Sequence, residues 1–328
     1  MQTPVFLDHL PDIDTVAGRK PARYRLTRNK ALMELMLDDD SAWIPRSNCP
    51  ACGQPIAQSR SFSQSMIEFQ RCGGCNTIYA ARTPAQEPLD ALRLEQVAAA
   101  QSETIEDAPS DREFEFTSLL NWVSLTEARL ERRLERVLDI RFSSQAPGWV
   151  GATKRLSHNR HWDFLPLSPD STEFAALKER VTETKPAAIL MPAELDRVAD
   201  PAALLGALKE AAEPGTVIFV ASSCADGLEY EILGADSPSF VPLDRLTVFS
   251  IKGFEALARS LGLNILEVST PGRLDAVILD RYFKGAENAN IPFWSSFFRE
   301  ADKNRLRDLQ ILLQRSLKSG VMRFVLEA

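Results

Sequence analysis

Residues 198–220 read VADPAALLGALKEAAEPGTVIFV, and this stretch holds the start, body and end of one helix and the strand after it. Asp200 is an N-cap acid and Pro201 stands in the first turn, where a missing N–H is not needed. Leu204, Leu205 and Leu208 carry the helix to about Ala212. Pro214-Gly215 breaks it, and Thr216 to Ala221 is an unbroken apolar run, the mark of a strand covered on both faces. Working outward, Ala187 to Met191 reads as another buried strand. Downstream, Ser250 caps a helix ending at Gly262, and Leu263 to Val268 is the next strand. A further strand is expected near Leu274 to Leu279, joined by the Thr270-Pro271-Gly272 turn into an antiparallel edge. Strands alternating with helices predict an α/β fold with a largely parallel sheet.

Upstream, a long helical pattern begins at Phe116, and Leu130, Leu134, Val137 and Leu138 keep the spacing of one buried face. A short helical pattern surrounds Asn29 to Leu37. Near the C-terminus, Phe293, Trp294, Phe297 and Phe298 cluster at the start of the last helical region, where packing against the sheet is expected.

Four cysteines stand as Cys49-Pro-Ala-Cys52 and Cys72-Gly-Gly-Cys75, nineteen residues apart. That spacing suits two knuckles around one zinc ion, which prefers a tetrahedron of thiolates. Gly53 and Asn76 follow the pairs, the residue types that best tolerate left-handed backbone in a tight turn. Phe62 to Gln70 between the knuckles alternates enough for a strand. Two disulfides or four unrelated thiols are the competing readings, while a redox CxxC needs only one pair. The reading adopted is structural Zn2+ on Cys49, Cys52, Cys72 and Cys75, with no position left open for substrate.

With 328 residues, 45% of them hydrophobic and 25% charged, the chain has the length for about two ordinary globular domains. A net charge of -7 argues against a nucleic-acid partner, whose phosphates need concentrated positive charge. No apolar run approaches the roughly 18 residues of a membrane span. Met1 to Pro11 lacks a basic start followed by an apolar stretch, so no signal peptide is expected. Thiolate zinc and the single leftover Cys224 fit a reducing cytoplasm.

In this order, the features resemble the bacterial class I S-adenosylmethionine-dependent methyltransferases that carry an N-terminal zinc ribbon. The resemblance runs from Cys49 to the end. It rests on CPACG (49–53), RCGGCNTIYAARTP (71–84), the stretch quoted above, VPLDRLTVFSIKGFEALARSLGLNILEV (241–268) and STPGRLDAVIL (269–279). It implies a Rossmann-like sheet of seven strands ending in an antiparallel pair, preceded by a small ribbon domain. On this reading residues 1–46 are an N-terminal extension, 47–82 the ribbon, 83–115 a linker with a helix and 116–328 the methyltransferase-like α/β domain. Members near this pattern methylate sugars or related small molecules, including nucleotide-linked sugars.

The expected cofactor residues depart from the family. The first strand is best matched by Arg136 to Ile140, and family members follow it with a glycine-rich turn that admits the methionine end of S-adenosylmethionine. Here Arg141, Phe142, Ser143, Ser144 and Gln145 follow, with no glycine until Gly148. Side chains at the glycine positions fill space the cofactor needs, and Arg141 sets a cation near a sulfonium. The acid that holds the ribose is replaced by Pro166, with Asp163 nearby but out of register. The short spacing to the Ala187 strand leaves the third strand reduced or absent. Arg197 and Arg245 occupy places where histidines are usual, and arginine cannot do their acid-base work. His158 and His161 sit in an apparently irregular segment without a carboxylate at metal spacing, and Cys224 has no histidine predictably beside it.

The expectation is therefore a methyltransferase-like pseudoenzyme in the cytoplasm, a binding or assembly protein in a sugar or surface-polysaccharide pathway. Its partner would be a protein or a small anionic ligand such as a sugar nucleotide, with Arg197 and Arg245 as the ligand-binding residues. No catalytic residue is assigned, and the departures speak against S-adenosylmethionine as a cofactor. The alternative is an active S-adenosylmethionine-dependent methyltransferase acting on a sugar or other small molecule, with Asp139 and Asp196 as the remaining polar contributors.

Overall fold

A computed structural model of the chain describes residues 43–84, 109–141, 147–167 and 174–328, with residues 65–66, 193, 238, 241–244 and 286–290 excepted, together with 30 and 33–37. The linker expected over 83–115 falls largely outside the described residues.

The ribbon comes first. Strand β1 (Trp43–Pro45) pairs antiparallel with β5 (Arg82–Pro84), bringing the two ends of the ribbon together. Strands β2 (Ser59–Gln64) and β3 (Ile67–Cys72) form a hairpin where the sequence suggested one strand over Phe62 to Gln70, and β4 (Ile78–Ala80) pairs with β3. No glycine or proline stands between Ser63 and Ile67, so the sequence carries no punctuation between the two strands.

Helix α1 (Pro109–Leu130) leads into β6 (Arg136–Arg141), α2 (Pro147–Leu156), β7 (His161–Pro166), α3 (Ala175–Thr184), β8 (Ala188–Pro192), α4 (Pro201–Ala211), β9 (Val217–Ser223) and α5 (Leu228–Leu233). The chain then returns to the ribbon as β10 (Thr247–Val248) before α6 (Ile251–Ser260) and β11 (Asn264–Ser269). It ends with α7 (Asp275–Gly285), α8 (Pro292–Glu300), α9 (Lys303–Arg315) and β12 (Val321–Glu327).

The main sheet has the order β11-β12-β9-β8-β6-β7. Strands β7, β6, β8 and β9 are parallel, and β12 runs antiparallel between β9 and β11. Among the described residues this is a Rossmann-like sheet of six strands, with no third strand beyond β7. Helix α4 forms as its residues dictate: Asp200 accepts from Ala203 N at 2.9 Å, and Gly215 makes the exit turn at φ 89°. Every residue of β9 is buried, because β8 and β12 flank it and helices cover both faces.

Alternate residues along the strands feed two cores. One face packs Leu138, Ile189, Ile218 and Phe324 on Leu177 and Val181 of α3, Leu204 and Leu208 of α4, and Phe254 and Leu257 of α6. The other packs Val137, Leu190, Phe219 and Val325 on Leu120, Trp122 and Val123 of α1 and Trp149 of α2. Each such buried side chain contributes about 1.5–3 kcal/mol.

Three sequence expectations are corrected. Residues Asp275 to Leu279 begin helix α7, and the antiparallel strand is β12, about fifty residues later. The helix from Phe116 stops at Leu130, and Leu134, Val137 and Leu138 belong to the turn and strand after it. The aromatic cluster of α8 packs on α7 and α9 instead of the sheet, with Phe283 stacked on Phe298 at 5.1 Å.

Candidate functional site

Two regions bring chemistry-bearing side chains together. The first is the ribbon tip. Each knuckle closes on itself: Gly53 N donates to Cys49 O and Asn76 N to Cys72 O, both at 2.9 Å. Gly53 and Asn76 adopt φ of 74° and 71°, the left-handed backbone their residue types tolerate. The four sulfurs lie within 4.8 Å of one another, with Cys49 and Cys75 at 3.7 Å and Cys52 and Cys72 at 3.5 Å. A zinc ion with bonds of about 2.3 Å sets tetrahedral sulfurs about 3.8 Å apart, so the set fits the ion. All five cysteines are free thiols.

The hydrogen bond shared by Cys49 and Cys75 lowers the Cys75 thiol pKa and raises that of Cys49. Burial raises that of Cys52. Arg46 is half-buried, and desolvation lowers it to about 10. Four thiols filling a tetrahedron leave no room for substrate at the ion; this centre would be structural.

The second region lies at the carboxyl ends of β6 and β8. The chain leaves β6 for β7 on one side and returns to β8 on the other, and open α/β sheets bind ligands at such switch points. Asp139 of β6 lies opposite Leu190 of β8 and is buried. Residues two apart on a strand share a face, so Arg141 folds back over Asp139. Its Nε donates to Asp139 Oδ1 at 2.8 Å and its Nη2 to Oδ2 at 2.9 Å. Trp149 Nε1 donates to Oδ2 at 2.6 Å, and the Arg141 guanidinium lies 4.8 Å from the centre of the Trp149 ring. Burial raises the Asp139 pKa, against the pull of Arg141.

Asp139 thus accepts three hydrogen bonds from its own chain, and Arg141 stands where the resemblance led one to expect a glycine. At the end of β7, Pro166 offers no side-chain acceptor, and Asp163 is paired with Arg180 at 3.2 Å. Residues 142–146 and 168–173 lie outside the described residues.

The other predicted residues converge elsewhere. Asp196, in the single 3-10 turn Leu195–Arg197, is fully buried and accepts from Ser222 Oγ at 3.2 Å and Ser223 N at 3.1 Å. Arg245 donates to the same Oδ2. Asp196 and Arg245, named separately from the sequence, are therefore one ion pair, and Asp196 supplies the counter-charge of an arginine picked for anions. Arg197 is half-buried in the same turn. Sequence reasoning missed the Asp139–Arg141–Trp149 contact, although its i, i+2 spacing on a strand was a usable signal.

His158 is exposed, and His161 opens strand β7 instead of lying in irregular chain, with Nε2 3.4 Å from Asp163 Oδ2. Cys224 is fully buried, and burial pushes its thiol far above the range of a nucleophile. Beyond β9, two buried acids are held by neutral donors. Glu229 accepts from Ser237 and Ser239, and burial raises it to about 7. Asp275 accepts from Ser319, Gln310 and Gly320 N. Among the described residues, no helix is long and apolar enough to cross a membrane.

No family model and no curated protein matches the sequence. Solved structures resemble it distantly. A structure of the plantazolicin methyltransferase BpumL in complex with a monoazolic desmethylPZN analog and SAH shares 14% identity at a TM-score of 0.39, over 74% of this chain and 95% of that one. Coclaurine N-methyltransferase bound to N-methylheliamine and SAH shares 11% at a TM-score of 0.36, over 64% and 72%. The [4+2]-cyclase SpnF shares 12% at a TM-score of 0.33, over 63% and 79%.

Proposed function

We propose that this chain is a methyltransferase-like protein whose cofactor position is closed from within, and that it works as a binding or assembly protein instead of transferring methyl groups. The observation that carries this reading is the set of three hydrogen bonds by which Arg141 and Trp149 hold the buried Asp139 at the switch point. A cofactor seated there would have to displace a bidentate, largely buried ion pair. The zinc centre belongs to the same reading as a scaffold: four thiolates fold the ribbon and take no part in chemistry.

The test is thermal unfolding with and without S-adenosylhomocysteine. At a ligand concentration of 100 times Kd, a binding chain gains about 2.7 kcal/mol, a shift of several degrees. No shift at millimolar ligand is the expected result; a clear stabilisation would restore the active methyltransferase acting on a sugar or other small molecule.

The partner on this reading is a protein or a small anionic ligand such as a sugar nucleotide. Arg197 and Arg245 are the residues proposed to meet an anion, Arg245 in competition with Asp196. Alanine at either should weaken a nucleoside diphosphate sugar, used as probe, several-fold. Equal binding by both variants and the wild type removes the anion reading and leaves the protein partner.

A further inference from the structure

The ribbon does not close on itself. Its sheet has the order β10-β4-β3-β2, and β10 belongs to the α/β part of the chain. Val248 pairs with Ile78 and Thr247 with Tyr79, just beyond Cys75. Ala80 N donates to Leu246 O at 2.9 Å, and Arg46 reaches Leu246 O and Thr247 Oγ1, each at 3.3 Å, and Ala199 O at 2.6 Å.

The second knuckle also seats on the start of α6. Ser250, the N-cap, accepts from Gly253 N at 2.8 Å while its hydroxyl donates to Cys75 O. Thr77 Oγ1 accepts from Ser250 N at 3.2 Å and stands 3.3 Å from Cys75 Sγ. Lys252 Nζ donates to Gly74 O at 2.7 Å. A β-carbon on Gly253 would collide with Thr77 Oγ1 and stand 3.1 Å from Cys75 Sγ. The missing side chain is what lets the knuckle dock, and Thr77 and Ser250 are both wholly buried in the seam.

The seam continues to the Asp196–Arg245 pair. Leu246 N donates to Asp196 O at 2.8 Å, and Arg245, one residue earlier, pairs with the Asp196 side chain. Phe249 bridges to Cys224 at the end of β9.

We infer that the four-thiol centre and the segment Arg245–Gly253 form one unit, in which a bound zinc ion holds β10 and thereby the Asp196–Arg245 pair, and in which Gly253 and Ser250 serve the metal centre although neither touches the ion. Backbone partners that orient metal ligands are as much a part of a site as the ligands themselves. Here those partners come from some 175 residues away in the chain. Loss of zinc frees the knuckle, the knuckle frees β10 and the start of α6, and the order of the Asp196–Arg245 pair goes with them. The inference rests on reading the four thiols as a zinc centre and is independent of whether the cofactor position is closed.

The test uses the full zinc-loaded chain. Zinc per chain is measured first, then its release to a chromophoric chelator in wild type, G253A, S250A and, as control, G151A, where an added β-carbon meets nothing within 4 Å. Removing such outer partners weakens metal sites about 10- to 100-fold. Release should therefore quicken by about that factor in G253A, by less in S250A, and not at all in G151A. Hydrogen exchange at Leu246 and Ala80 should rise at least about tenfold on zinc removal, about 1.4 kcal/mol, while Val217–Ser223 stay protected. Release from G253A and S250A at the wild-type rate, or unchanged exchange at Leu246 without zinc, overturns the inference. If G253A does not fold, S250A and the wild-type exchange experiment decide it. A chain that binds no zinc at all refutes the metal reading itself, a result distinguishable from the others.

Discussion

Replacing Arg141 with alanine isolates the ion pair with Asp139 at the switch point. The side chain of Asp139 is wholly buried and that of Arg141 is 19% exposed, so solvent screens the pair little. Removing one partner of a buried pair leaves an uncompensated charge and typically costs about 3–5 kcal/mol. Protonation offers Asp139 an escape. Its neutral form, relative to an unfolded pKa of about 3.9, costs no more than about 1.5 kcal/mol to hold at pH 5 but about 5–6 kcal/mol at pH 8. The sign follows: burial without the cation raises the folded pKa, so the variant loses stability as pH rises and regains it as pH falls. Loss of the guanidinium from the Trp149 ring adds about 1 kcal/mol at either pH. R141A should thus be destabilised by about 5 kcal/mol at pH 8 and by about 2.5 kcal/mol at pH 5, with part of the pH 8 loss recovered in D139N/R141A. Urea unfolding of the three variants at both pH values measures this. An R141A variant within about 0.5 kcal/mol of wild type at pH 8, or one whose loss is the same at both pH values, would refute the reasoning.

Serine at Cys49 or Cys72 removes one of four ligands. Zinc per chain should fall and the ribbon amides should lose protection; full zinc content in either variant would contradict the site. Glu229 has a folded pKa of about 7, above the usual carboxylate value, so it costs stability as pH rises from about 4.5 through 7. E229Q should flatten that slope and gain up to about 3 kcal/mol at pH 8, read as the pH dependence of Tm; a slope equal to wild type would show that Asp275 and its neighbours carry the effect.

The parts of the fold with local punctuation were legible in the sequence. Asp200-Pro201 and Pro214-Gly215 bracket α4 in both the sequence and the structure, and Ser250 caps α6 as expected. A strand is expected near Leu274 to Leu279 because the short apolar run Ala276 to Leu279 has no period that separates a strand from a buried helix. Its helical state depends on Asp275 and Ala276 meeting Gln310 of α9, a contact no local signal announces. Strand β12 escaped notice partly because Arg323 interrupts it. That arginine is buried over the Trp122 ring at 4.8 Å and donates to Ser118 Oγ at 3.0 Å. The four cysteines announced their cluster through spacing alone. The Asp196–Arg245 pair, 49 residues apart, and the Cys75–Ser250 seam exist only once the chain has folded.

On the proposed reading the switch point does not take S-adenosylmethionine. The first measurement is a calorimetric titration of the zinc-loaded chain with S-adenosylmethionine, repeated with S-adenosylhomocysteine. No saturable heat is expected up to millimolar ligand. Saturable micromolar binding of either molecule would contradict it and turn the search to a methyl acceptor.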